Sequence, residues 1–156
     1  MENKFSVVIP TLWKSNRIFQ LVDDLHTTDK VGEIYIIDNS GEYDSKVSGF
    51  SSTDKIRVNQ PESNLYVAAS WNKGVENAQY EKIAILNDDI NFSTSLFDTV
   101  DELMTYTSGS WEEDKPKVTG IIGMASDNYN KEQTGDPYIT ELSGTRPRDR
   151  DWETMK

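Results

Sequence analysis

The chain has 156 residues, with 16 Lys plus Arg against 27 Asp plus Glu, a formal charge of −11. That balance excludes a general nucleic-acid binder, which needs a basic face to displace counterions from phosphates. With no cysteine, disulfides, zinc knuckles, iron–sulfur clusters and thiol nucleophiles are excluded together. Hydrophobic residues make up 35%, yet 4 Trp, 7 Tyr and 5 Phe are more than a disordered acidic chain carries, so a small acidic globular domain is expected. Apolar runs stop at four or five residues, far short of the ~20 that cross a bilayer. The N-terminal MENKF carries no signal-peptide pattern, so a soluble, cytoplasmic protein is expected.

Residues 5–9 (FSVVI) are a β-branched run predicted as a strand and stopped by Pro10, which cannot donate to a central ladder. Ser15 or Asn16 is placed to cap a helix whose apolar face carries Ile18, Val22 and Leu25. Residues 33–37 (EIYII) form a second strand ending at Asp38, and residues 56–58 a short third. Between them, residues 40–54 are polar and show no clear helix. Residues 67–79 predict a helix with Ala68, Trp71, Val75 and Ala78 on its buried face. Residues 82–86 (KIAIL) are a fourth strand, buried and closed by Asn87-Asp88-Asp89. Ser95 with Asp98 has the spacing of a capping box before a helix carrying Leu96, Val100 and Leu103. Residues 106–117 read as an acidic loop, with strand candidates at 118–124 and 138–142.

Apolar strands alternating with helices imply an α/β fold, a mostly parallel sheet covered on both faces. Ligands in such folds sit at the carboxyl ends of the strands. Two adjacent carboxylates just past a strand, Asp88 and Asp89, suit Mg²⁺ or Mn²⁺ shared with a ligand's phosphates, or else a solvated turn. Asp38 ends another strand, Asn72 lies on the helix before the Asn-Asp-Asp strand, and Pro10-Thr11 offers an open turn for a flat ring.

Together these segments resemble glycosyltransferases of the GT-A fold, particularly the inverting enzymes of family 2. Residues 5–11 (FSVVIPT) are similar to the first strand, which borders the nucleotide base, so Pro10 and Thr11 fall beside the donor. Residues 33–40 (EIYIIDNS) match the second strand, whose terminal Asp, here Asp38, contacts uracil in the family. Residues 64–74 (NLYVAASWNKG) resemble the helix lining the nucleotide pocket through Asn64 and Asn72. Residues 84–90 (AILNDDI) fall where the family carries its Asp-x-Asp motif. The resemblance covers residues 4–92 and implies one GT-A-like domain over 1–156, with a donor half at 4–92, a short acceptor half at 93–144 and a charged tail at 145–156.

Carried over, Asp89 is the metal-coordinating carboxylate, Asp88 assists it, and Asn87 and Asp88 contact ribose, sugar or metal water. The implied cofactor is Mn²⁺ or Mg²⁺, the donor a nucleotide sugar, a UDP-sugar above others, and the acceptor a saccharide or other hydroxyl. The general base is sought among Asp136, Asp149, Asp151 and Glu153, with Asp151 preferred because Trp152 beside it offers a sugar platform. Arg146, Arg148, Arg150 and Lys156 against Asp149, Asp151 and Glu153 give residues 145–156 a net charge of +1, with arginines suited to a diphosphate and a composition equally consistent with a frayed end. His26, the only histidine, lies near the end of the first helix and is rejected as a metal ligand. A nucleotidyltransferase is excluded by the lack of glycine in Pro10-Thr11-Leu12-Trp13-Lys14, and a phosphate-receiver domain by an acidic pair after the wrong strand. A non-catalytic nucleotide- or protein-binding module on the same fold remains the alternative, and a homo-oligomer stays open.

Overall fold

The structure, a computed structural model, describes residues 3–107. Four parallel strands form one sheet in the order β3-β2-β1-β4. They are β1 (Phe5–Thr11), β2 (Val31–Asp38), β3 (Ile56–Asn59) and β4 (Lys82–Ile85). The helices are α1 (Arg17–Thr27), α2 (Tyr43–Lys46), α3 (Tyr66–Asn77) and α4 (Leu96–Thr107), with a 3₁₀ turn at Val47–Gly49. The chain divides after Asp98 into two compact units, and the whole sheet belongs to the first, Met1–Asp98. The expected α/β parallel architecture is therefore present.

Every residue of β1 is buried, as a central parallel strand requires. Contrary to expectation, Pro10 does not stop this strand: it pairs with Ile37, and Thr11 pairs with Asp38. The reason is one-sided pairing. The β4 ladder ends at Val8↔Ile85, where Leu86 N–H donates to the Val8 carbonyl at 3.0 Å. Alternate residues of a parallel strand bond to alternate neighbours, so Pro10 lacks its N–H on the side that β4 has already left. Strand β2 also begins earlier than expected, at Val31, and the register shifts between Phe5 and Ser6 opposite Gly32. Gly32 permits close approach there, because an added Cβ would overlap the Tyr80 ring.

Helices cover both faces. Ile18, Leu21, Val22 and Leu25 of α1 are buried, which adds Leu21 to the expected stripe. Ser15 caps this helix by accepting the Arg17 N–H at 3.2 Å, whereas the Asn16 side chain makes no cap bond. On the other face, Leu65, Trp71 and Ile83 pack against Val8, Tyr35 and Ile37. The predicted apolar face of α3 is corrected here. Ala68 and Val75 are exposed, and the buried positions are Ser70 and Gly74. A Cβ at Gly74 would overlap Val8, so this helix lies close to the sheet through small residues, not through a hydrophobic stripe. The expectation of a buried fourth strand is corrected as well: β4 is half-buried and Ile85 is exposed.

Residues 40–54 contain the one-turn α2 and the 3₁₀ turn where no helix was expected. Their core anchor is Phe50, whose ring lies 5.2 Å from Phe19 and 6.1 Å from Trp13. At the start of α4 the expected capping box is replaced by a bond of 2.7 Å between the Ser93 and Ser95 hydroxyls. Leu96 and Phe97 are buried, and Phe97 meets Phe5 edge-on at 5.2 Å.

At the amino ends of the strands, Glu33 is buried but compensated. It accepts from the Ser6 hydroxyl and from Gln79 N–H at 2.8 Å, and pairs with Arg57 at 3.0 Å. Arg57 also lies over the Tyr35 ring at 4.0 Å. This network ties β1, β2, β3 and the segment after α3 together, leaving the carboxyl ends for other work.

Candidate active site

The chain runs from β1 to β2 and β3 on one side, then returns through α3 to place β4 on the other side of β1. Such a reversal opens a crevice at the carboxyl ends of the central strands. Thr11 bridges it. Its hydroxyl donates to Asp88 Oδ2 at 2.7 Å and accepts the Trp13 N–H at 2.8 Å. Its carbonyl accepts the Asn39 N–H at 3.0 Å. One residue thus couples the ends of β1 and β2 to the acidic turn after β4.

Asp38 has no exposed surface, 0%. Its Oδ1 accepts from Trp13 Nε1 at 2.8 Å, Gly41 N–H at 3.0 Å and Ser40 N–H at 3.2 Å. Its Oδ2 accepts from Tyr43 N–H at 2.8 Å and Gln60 Nε2 at 3.1 Å. Burial works to raise this carboxyl's pKa, but the bonds from Gln60, Tyr43, Trp13 and Ser40 together outweigh it and hold the group below its usual value. The carboxylate therefore serves the protein's own donors: it fixes the loop after β1, the turn after β2 and the end of β3 to one another.

Trp13 has a left-handed backbone, φ 57°, which a bulky residue adopts only under constraint. The constraint is visible. Its ring is 7% exposed, lies among Phe19, Tyr43 and Phe50, and donates to Asp38. Pro10 and Thr11 are the buried last residues of β1, so the expected open turn for a flat ring is not there. The bend comes later, at Trp13.

Asn39 fastens α3 to the crevice. Its Oδ1 accepts the Leu65 N–H and its Nδ2 donates to Ser70 Oγ, each at 2.9 Å. Asn64 is exposed and accepts the Tyr66 N–H at 2.8 Å. Asn72 lies on the exposed surface of α3. Asn87 and Asp89 are exposed and Asp88 is half-buried, while Arg17 at the start of α1 donates to the Asp89 carbonyl at 3.4 Å. The structure thus brings Thr11 and Asp88 together directly, and joins Asp38 to Thr11 through Trp13. Asp136, Asp149 and Asp151 lie outside the described residues.

Trp13, Asn39, Gln60 and Ser70 were not among the residues singled out from sequence. The rule that finds Asp38, a polar residue at a strand's carboxyl end, also points to Asn39 and Gln60. Trp13 gives no such signal. His26 lies in the last turn of α1, its Nδ1 2.9 Å from the Val22 carbonyl, which can only accept.

Among the described residues no group of three or more His, Cys, Asp or Glu side chains is arranged to hold a metal ion. Asp88 and Asp89 nevertheless present hard oxygens from adjacent positions. Too few for a closed protein cage, they fit Mg²⁺ or Mn²⁺, which keep water and take further ligands from phosphates.

The profile of a family described as Glycosyl transferase family 2 matches residues 6–106, spanning every residue of the crevice named above. No curated protein and no solved structure matches the chain. Among the described residues, no helix is long and apolar enough to cross a membrane.

Proposed function

Because the chain belongs to glycosyl transferase family 2, we propose that it moves a sugar from a UDP-sugar to an acceptor hydroxyl, with inversion at the anomeric carbon. The observation that carries this reading is the bond from Thr11 to Asp88, which aligns the end of the central strand with an acidic pair at the reversal point of the sheet. Asp89, assisted by Asp88, is the group that would hold Mn²⁺ or Mg²⁺. A bound ion of this kind supplies Lewis-acid neutralisation of the charge that grows on the departing diphosphate. The net charge of −11 supports that requirement, since an acidic protein repels a nucleoside diphosphate unless a cation lies between them. Asn87, beside the pair, is assigned to ribose, sugar or metal water, and Asn64 and Asn72 to the nucleotide side.

Uridine preference runs through Asp38 in this reading. It shapes the wall by positioning Trp13 and the turn at residues 40–43, and reading a base imide directly requires one of those donors to give way. Asp151, with Asp149 and Asp136 as alternatives, removes the proton from the acceptor hydroxyl. Replacing that base, as in Asp151→Asn, is expected to lower transfer ~10²–10⁴-fold with metal-assisted binding unchanged. A wild-type transfer rate in Asp151→Asn would remove it from the chemistry.

A screen of nucleotide sugars by thermal stabilisation tests the reading. UDP-sugars are expected to raise Tm with Mn²⁺ present and not in chelator, by the equivalent of ~2.7 kcal/mol at a hundredfold excess over Kd. Stabilisation by no nucleotide sugar, or by GDP- and UDP-sugars alike, contradicts it.

A further inference from the structure

Two aromatic residues of the first unit have left-handed backbones, Trp13 at φ 57° and Tyr66 at φ 59°. This conformation suits glycine, and a bulky side chain adopts it at a cost in stability. For Trp13 the cost is offset by burial, three ring neighbours and a bond to Asp38. Tyr66 has no such compensation. Its side chain is 77% exposed, and among the described residues its ring has no aromatic or cationic neighbour.

The backbone at Tyr66 is nonetheless fixed from three sides. Its N–H is held by Asn64, its carbonyl accepts from the Ser70 hydroxyl, and the preceding Leu65 N–H is held by Asn39. Asn39 is the residue after Asp38, and its own N–H bonds to Thr11, whose hydroxyl reaches Asp88. A chain of hydrogen bonds therefore fixes the Tyr66 backbone to the residue that follows β2 and leaves its side chain exposed. The anchor of this backbone, Asn39, follows β2, and β2 and β4 flank β1 on opposite sides.

We propose that Tyr66 is a ligand-contacting platform, its ring lying against the nucleoside of the bound nucleotide sugar. A flat π face and an exposed position suit stacking on any base, which is typically worth a several-fold to hundredfold change in affinity. The inference rests on the nucleotide-sugar reading above and extends it to a residue whose presence the fold alone does not explain. Fold stability would favour glycine at this position, and contact with a ligand ring accounts for tyrosine.

The test uses the full chain with Mn²⁺ and two probes, UDP and a UDP-sugar, in titration calorimetry of the wild type, Tyr66→Gly and Tyr66→Phe. Tyr66→Gly is expected to fold with a Tm no lower than wild type and to bind both probes about tenfold more weakly. Tyr66→Phe keeps the ring and is expected to bind within about twofold of wild type. Unchanged UDP affinity in Tyr66→Gly overturns the platform. Loss confined to the UDP-sugar overturns the assignment to the nucleoside. A wild type that binds neither probe instead overturns the nucleotide-sugar reading on which the platform depends. A Tm well below wild type in Tyr66→Gly overturns the claim that the ring does nothing for the fold.

Discussion

The strands flanking β1 end in acids of opposite circumstance. At β2, Asp38 is fully buried and accepts hydrogen bonds from Trp13, Ser40, Gly41, Tyr43 and Gln60, groups that come from three separate segments. At β4, Asn87 and Asp89 are exposed, and Asp88 is tied to the crevice by the Thr11 hydroxyl. A carboxylate saturated by its own chain builds the wall of a site, whereas an exposed pair is available to a ligand. The hydrogen bonds that join separate loops are thereby concentrated at Asp38 on one side of β1, the exposed acidic turn lies on the other, and Thr11 stands between them.

That division is open to attack by substitution. Asp38→Ala strands the buried Trp13 indole N–H, at ~1–3 kcal/mol for a buried group left unsatisfied, and removes the bonds that hold the exposed Gly41 and half-buried Tyr43 amides, at ~0.5–1.5 kcal/mol each. Chemical denaturation is expected to show a total loss of ~3–5 kcal/mol, and a loss under ~1 kcal/mol would break the comparison. Acid gives the same site a second readout. The folded-state pKa of Asp38 is lowered, so the unfolded chain binds the proton first as pH falls. The contribution of Asp38 is present in full above its ordinary carboxylate range and is lost as pH drops through the folded value. Denaturation midpoints of Asp38→Asn are therefore expected to fall less steeply with acid than those of the wild type.

Across β1 the expected pattern inverts. Asp89→Ala is expected to change stability by no more than ~0.5 kcal/mol, as for an exposed side chain. Metal-assisted UDP-sugar affinity is expected to fall by more than ~1.4 kcal/mol, or tenfold. Calorimetry that finds the affinity intact removes Asp89 from the site.

The smallest effect belongs to the residue in the middle. Thr11→Val keeps the shape but deletes the hydroxyl that donates to Asp88 and accepts from Trp13. It is expected to cost about 1 kcal/mol of stability and to weaken metal-assisted binding a few-fold. A double-mutant cycle with Asp88→Ala should return a coupling of ~0.5–3 kcal/mol. Additive effects would mean that the bond does not connect the two sides.

The legibility of these features in the sequence follows the range of the interactions behind them. Strand ends are local signals: an apolar run followed by Asp38 or by Asn87-Asp88-Asp89 is enough to locate the crevice. The face of α3 is not legible in the sequence because its buried positions, Ser70 and Gly74, are small residues that pack by closeness and leave no hydrophobic period. The place of Pro10 inside β1 is not legible either, because a strand's pairing partner on each side is a property of the whole sheet. The Trp13–Asp38 bond joins residues 25 positions apart, and no spacing rule anticipates it. The same holds for Thr11 and Asp88, which are 77 positions apart yet hydrogen-bonded.

The most direct measurement of the central claim is the release of UDP from a UDP-sugar by the wild type and by Asp89→Ala, with Mn²⁺ and with chelator. Release by the wild type is expected to depend on Mn²⁺ and to fall at least ~tenfold in Asp89→Ala, matching its loss of affinity. Metal-assisted binding of the UDP-sugar by the wild type, without any release of UDP on addition of acceptors, would contradict it and identify a binding module on a glycosyltransferase fold.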